Sequence, residues 1–235
     1  DEINSSPMQN PKFREALTLS VDREKLVRTL FSNLTTVPNN WQSELFGEMY
    51  LEDYQGVPYD PVRAKQLLDE IGYAGEKIYY RSLSGYYTLE QTVAEAVTQM
   101  WQSVGINVEL QIKENWTQIT EDNESLHIIN GSFSAYYPDP VGQVWRRFGT
   151  NSPNTGKYWN LSKEVQDLGN IMETSYDINA RRNAFRTYLD LFSKDPKGMY
   201  LYNLPMIYAV RDGVSWTPLP IEGMDFTTNA LEVQE

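Results

Sequence analysis

Along most of this chain hydrophobic positions recur at helical spacing, interrupted by short stretches that alternate. Phe13, Ala16 and Leu17 share a face behind Asn10 as N-cap and Pro11 in the first turn, which predicts a helix. Leu26, Val27, Leu30 and Phe31 repeat that spacing after the capping residue Asp22 and stop at the polar Ser32-Asn33. Asp60-Pro61 starts a third helix with Ala64, Leu67, Leu68 and Ile71 on one side and Gly72 as its stop. The turn Ser84-Gly85-Tyr86-Tyr87 leads into a longer one, predicted to bury Leu89, Val93, Ala96, Val97, Met100 and Val104 and to close at Gly105.

Two segments read as strands around that long helix: Lys77 to Leu83 before it, and after it Ile106, Val108, Leu110 and Ile112 alternating with polar residues. A strand, a helix ended by glycine and a second strand form the unit of an α/β layer. A short helix is expected from Trp116 to Glu121, a strand from Leu126 to Asn130, helices near Ser162 to Glu173 and Asn179 to Phe192, and strands near Met199 to Tyr202 and Ile207 to Val210. Residues 33–59 carry Pro, Gly, Asn and aromatics without a period, and long ordered loops of this kind often carry function. With no repeat, low-complexity tract or linker, one domain with an irregular excursion is the simplest organisation.

Composition then narrows the function classes. The 40% hydrophobic content of the 235 residues suffices for a core. No run approaches the roughly 20 apolar residues that span a bilayer. Asp1-Glu2-Ile3-Asn4 lacks a basic region followed by an apolar one, so any export signal is expected outside residues 1–235. A formal charge of −12, from 32 acidic against 20 basic residues, repels phosphate backbones, so no nucleic-acid partner is expected. With no cysteine and His127 as the only imidazole, most metal and nucleophilic constellations cannot be built, and no cofactor is expected. His127 alternates with Leu126 and Ile128 and reads as a structural histidine. The pairs Arg146-Arg147 and Arg181-Arg182 read as solvated helix faces, and Trp145 as core.

Five stretches in order carry a resemblance. Asn10-Pro-Lys-Phe-Arg-Glu-Ala-Leu-Thr-Leu-Ser-Val-Asp-Arg-Glu-Lys-Leu-Val27, Tyr59-Asp-Pro-Val-Arg-Ala-Lys-Gln-Leu-Leu-Asp-Glu-Ile-Gly-Tyr73, Val93 to Leu110, Tyr137-Pro-Asp-Pro140 and Tyr208-Ala-Val-Arg-Asp-Gly-Val214 resemble the second lobe of family 5 bacterial solute-binding proteins. These are the oligopeptide-, dipeptide- and nickel-binding proteins of ABC importers. The resemblance implies an α/β fold, a periplasmic-binding-protein-like (type II) lobe with a mixed sheet flanked by helices. It implies that residues 1–235 form the C-terminal lobe, with the N-terminal lobe absent, and that the protein works outside the cytoplasm as a surface lipoprotein or in the periplasm. The implied partners are a small peptide, the ABC permease's transmembrane subunits and the chain's own N-terminal lobe.

Peptide-binding members of that family often place an aspartate before the motif tyrosine to pair with the ligand's ammonium. Here that position is Tyr136, a phenol without charge at neutral pH. Asp139 substitutes only if the backbone turns it inward; otherwise it is a helix cap. Ser132, Phe133, Ser134, Tyr136 and Tyr137 are the candidate ligand-binding strip, its aromatics a wall for an extended ligand. Lys157, Tyr158 and Trp159 form a polar-aromatic loop with ligand contacts or a plain surface loop. Tyr86 sits at a strand-to-helix turn and Trp41 in the irregular early loop. An oligosaccharide ligand, a nickel chelate, a carboxylate-pair hydrolase and a surface adhesin or sensor on the same lobe remain as alternatives.

Overall fold

The computed structural model describes residues 6–218, 226–227 and 230–233. Its helices begin where the sequence places caps. In α1 (Pro11–Leu19) the Asn10 side chain accepts from the Lys12 amide, in α2 (Arg23–Leu30) Asp22 accepts from Lys25, and in α3 (Pro61–Glu70) Asp60 accepts from Arg63. Strand β1 (Ile78–Leu83) follows α3, and α4 (Glu90–Ser103) connects it to the parallel strand β2 (Val108–Lys113), with Ile78 opposite Val108 and Leu83 opposite Lys113. After α5 (Trp116–Ile119) comes β3 (Ile128–Ile129), parallel to β1 on its other side, so the sheet order is β2-β1-β3. Then come α6 (Val144–Phe148), α7 (Lys163–Thr174), α8 (Ile178–Lys194), and β4 (Val214–Trp216) paired antiparallel with β5 (Leu231–Val233). Parallel and antiparallel pairing therefore both occur, in separate sheets.

Two hydrophobic cores lie under these elements. The first joins α1, α3, β1, α4 and β2 through Phe13, Leu17, Leu67, Ile78, Val97 and Trp101. The second joins residues 46–54 to α6, α7 and α8 through Phe46, Leu51, Trp145, Met172, Phe185 and Tyr188. Arg14 on α1 ties them together, bonding Asp195 and the Pro196 carbonyl just beyond α8.

The structure corrects several expectations. The buried face of α4 runs through Glu90, Val93, Ala94, Val97, Thr98 and Trp101, while Ala96 and Met100 are only partly covered and Leu89 is exposed. Trp101 sets that rotation, because its indole N–H reaches the Leu17 carbonyl at 2.9 Å and only a buried indole can do so. The strand expected from Leu126 to Asn130 shortens to two residues. Met199 to Tyr202 and Ile207 to Val210 form no strand; the Tyr200 carbonyl accepts instead from Arg23 Nε at 2.9 Å, and Asn203 N donates to the Thr36 carbonyl. In the first of these segments and just after it, a side chain and a loop take backbone groups that a ladder would otherwise have used. Among the described residues no helix is long and apolar enough to cross a membrane.

Candidate functional site

The sheet order places a crevice. The chain leaves β1 towards β2 on one side while β3 lies on the other, so the loops that follow β1 and β3 part at their carboxyl ends, where ligands of open α/β sheets bind. Residues 84–89 and 130–139 are those loops. Tyr86 from the first and Ser132 from the second meet there, with 2.9 Å between hydroxyls. Trp116 at the start of α5 stands edge-on to Tyr86, ring centroids 5.1 Å apart.

Beneath this bridge is a buried polar frame. Asn130 donates to the Ser82 hydroxyl at 3.1 Å and to Tyr87 Oη at 2.7 Å, fixing the base of one loop against the other. Burial pushes the Tyr87 phenol up to about 12, so it stays protonated at neutral pH. Glu90, 1% exposed, accepts at Oε1 from Ser82 Oγ and the Leu83 amide, both at 3.2 Å, and at Oε2 from the Tyr86 amide at 3.0 Å. These bonds hold the turn in which Leu89 adopts φ 62°, a conformation that costs a non-glycine residue energy. Arg81, fully buried in β1, donates to the carbonyls of Ile119 and Glu121 and to Asn123 and Ser125, pinning the segment before β3.

The second loop carries the aromatic strip into the second core. Phe133 is half-buried, edge-on to Trp41 at 5.5 Å and tilted to Phe148 at 6.2 Å. Trp41 in turn packs on Phe148, Phe192 and Tyr200, beside a cavity of about 10 Å³ that has room for one water at most. Trp41 thus supports Phe133 from behind. Tyr136, 73% exposed, and Tyr137, 50% exposed, stand in the open, and Ser134 is half-buried beside Phe133. Asp139 does not face the crevice as a free charge: Oδ1 caps the Val141 amide at 2.9 Å and Oδ2 pairs with Arg181 at 2.7 Å. The turn needs Gly142, where a Cβ would lie 2.7 Å from the Tyr137 carbonyl oxygen. Lys157 pairs with Asp122 at 3.1 Å and lies over the exposed Tyr158 ring. Trp159 packs on Phe148 at 5.8 Å, which joins this segment to Phe133 through a shared ring.

Tyr86 and Ser132 therefore meet, Phe133 and Tyr136 follow on the same loop, Trp41 and, through Phe148, Trp159 support Phe133, and Asp139 shapes the loop. Glu90, Asn130 and Arg81 went unread in the sequence; the one signal was a run of polar residues at strand ends and a first helical turn. Trp145, read as core, is 3% exposed and donates to Glu173 at 2.8 Å.

His127 lies to one side, its Nδ1 accepting from the Tyr79 amide at 3.1 Å and its ring stacked on Tyr79. Burial, then the Arg81 charge, lower its proton affinity below the ordinary value of 6.5. The unfolded chain therefore holds the proton more tightly, and the associated stability is complete above that ordinary value and is lost as pH falls through the depressed one. The thermal midpoint of the native protein should fall more steeply between pH 7 and 5 than that of His127→Gln; parallel curves would contradict this.

The parallel sheet with its helices and this crevice define a lobe of the periplasmic-binding-protein fold. A periplasmic oligopeptide-binding protein from Thermotoga maritima, solved with mannohexaose bound, superposes with a TM-score of 0.72 and 22% identity over 94% of this chain and 46% of its own. Lactococcal OppA, complexed with an endogenous peptide, gives 0.72 and 19% over 85% and 41%. NikZ from Campylobacter jejuni, in complex with Ni(L-His), gives 0.72 and 16% over 86% and 43%. The chain belongs to family 5 of the bacterial extracellular solute-binding proteins: residues 2–155 match that family's model, its middle part. The glutathione-binding protein GsiB of Escherichia coli (strain K12) is 31% identical over 108 residues, 46% of this chain and 21% of GsiB. The chain thus spans less than half the length of the relatives it matches, and the family is one of binding proteins rather than enzymes.

Proposed function

We propose that residues 1–235 are the second lobe of a protein that captures oligopeptides in a cleft between two lobes, outside the cytoplasm, and delivers them to the membrane subunits of an ABC importer. The observation that carries this reading is the Tyr86–Ser132 bridge over the carboxyl ends of β1 and β3, with the exposed rings of Tyr136 and Tyr137 further along the second loop, in a chain of this family. A ligand lying there would be covered on one side only, and closure of the N-terminal lobe would bury the rest. Exposed Met206, Ile207, Val210 and Phe226 offer apolar surface of the kind that lobe would cover. For an extended peptide, backbone hydrogen bonds supply affinity and wet pockets tolerate varied side chains, so specificity should be broad.

An oligosaccharide ligand is the second reading, favoured by the uncharged phenol of Tyr136 and by the mannohexaose in the Thermotoga protein. Calorimetry of the full-length protein with mixed tri- to pentapeptides, and separately with manno- and cello-oligosaccharides, distinguishes the two: heat with peptides alone supports the first, heat with sugars alone the second. Phe133→Ala removes about 1.5–3 kcal/mol of apolar contact if the ring is covered by ligand, a loss of roughly tenfold or more in affinity. Unchanged affinity would remove Phe133 from the site.

A further inference from the structure

Asn130-Gly131 is the one Asn-Gly pair in the 235 residues. Asparagine is a thermolabile residue, and glycine makes it more so: with no Cβ to crowd it, the glycine nitrogen reaches the preceding side-chain carbonyl carbon more easily than any other residue's nitrogen does. In the fold the two halves of the pair differ. Gly131 is exposed, and its amide donates to no protein group among the described residues. Asn130 is 6% exposed, its own amide donates to the Arg81 carbonyl at 2.7 Å, and its Nδ2 is shared between Ser82 Oγ at 3.1 Å and Tyr87 Oη at 2.7 Å. The attacking nitrogen is therefore free, while the carboxamide that it would attack is clamped in the frame beneath the Tyr86–Ser132 bridge.

The reaction needs water as its only co-reactant. The Gly131 nitrogen bonds to Cγ of Asn130, the Cγ–Nδ2 bond breaks, and the proton of the Gly131 N–H ends on the departing ammonia. Water then opens the resulting cyclic succinimide at either carbonyl, giving aspartate or isoaspartate. Both products are ionised at neutral pH and donate no hydrogen bond, so Ser82 Oγ and Tyr87 Oη lose the donor they share. The new carboxylate would also stand across the Ser82 hydroxyl from Glu90, whose Oε1 accepts from that hydroxyl at 3.2 Å, so two like charges would meet at one buried group. Isoaspartate adds a methylene to the main chain two residues before Ser132, the residue that bridges to Tyr86.

We propose that Asn130 is a site of spontaneous deamidation, held off while Ser82 and Tyr87 grip its carboxamide, and that its conversion dismantles the frame beneath the crevice. The full-length protein is aged at mildly alkaline pH, one portion folded and one in urea, and tandem mass spectrometry of the digested chain locates each amide converted to an acid. Asn151, exposed and followed by serine, is the internal reference. Conversion at Asn130 relative to Asn151 should be roughly tenfold or more faster in urea than in the folded protein, the worth of the two hydrogen bonds. Tyr87→Phe, shown to be folded by its thermal midpoint, should raise that ratio in the folded state roughly fivefold, the worth of one of them. Asn130→Asp should lower the midpoint. A ratio that is the same in both states, or no conversion at Asn130 in either, overturns the proposal without recourse to a variant. A folded Tyr87→Phe that keeps the native ratio overturns the clamp, and Asn130→Asp with the native midpoint overturns the damage to the frame.

Discussion

Replacing Gly169 by alanine is expected to destabilise this protein, although alanine is the better helix former. Intrinsic propensity favours alanine in the middle of α7 by about 1 kcal/mol. Yet a Cβ on Gly169 would fall inside the Trp145 indole, against Cζ2, Cη2 and Cε2, in the second core. The indole has nowhere to retreat: its N–H is held by Glu173 on the same helix, and Tyr188 stands edge-on to it at 5.8 Å. Overpacking of this kind costs about 1–3 kcal/mol and more where nothing yields, so the overlap outweighs the propensity. A net loss of roughly 2 kcal/mol should lower the thermal midpoint by about 4–8 °C in a domain of this size. Combining Gly169→Ala with Trp145→Phe should cost less than the sum of the two, because the smaller ring makes the room that the methyl needs. A midpoint that rises in Gly169→Ala would show that the ring does not pack there.

That glycine shows how far the sequence could be read. Caps and period marked α1, α2 and α3 because Asn10, Asp22 and Asp60 act within three residues of the amides they satisfy, and such signals are local. The alternation from Ile106 to Ile112 likewise located β2. Gly169 looked like any residue of a polar helix, since its requirement comes from a tryptophan far along the chain. The same holds for the face of α4: apolar spacing alone favoured Ala96 and Met100, and only the Leu17 carbonyl on another helix selects Trp101. In the candidate site, Tyr86, Ser132, Phe133 and Tyr136 are proposed from the sequence because a family motif and a strand-to-helix turn point to them. Asp139 had two readings, and Arg181, 42 residues on, decides between them. Arg146 and Arg147 read as an ordinary solvated face, and only the fold brings their guanidinium groups over the Tyr136 and Phe133 rings.

Glu90→Ala should affect both stability and ligand capture, and the two effects can be separated. Removing the carboxylate strips the Leu83 and Tyr86 amides and the Ser82 hydroxyl of their acceptor. A buried donor left unpaired costs about 1–3 kcal/mol, and Leu83 is fully covered, so a loss of roughly 3 kcal/mol is expected. Glu90→Gln should recover only part, because an amide has one oxygen where the turn uses two and would aim its NH2 group at an N–H. Without that restraint the turn can relax the left-handed Leu89, carrying Tyr86 away from Ser132 and opening the bridge between the two loops. Affinity for a peptide should then fall roughly tenfold or more even where the variant is fully folded, the effect expected when a positioned polar group is lost. Tyr86→Phe provides the comparison: it deletes only the hydroxyl contact, so it should leave the thermal midpoint nearly unchanged and weaken binding modestly. If Glu90→Ala lowers the midpoint while its folded fraction binds peptide as tightly as the native protein, the turn after β1 is part of the scaffold and not of the ligand site.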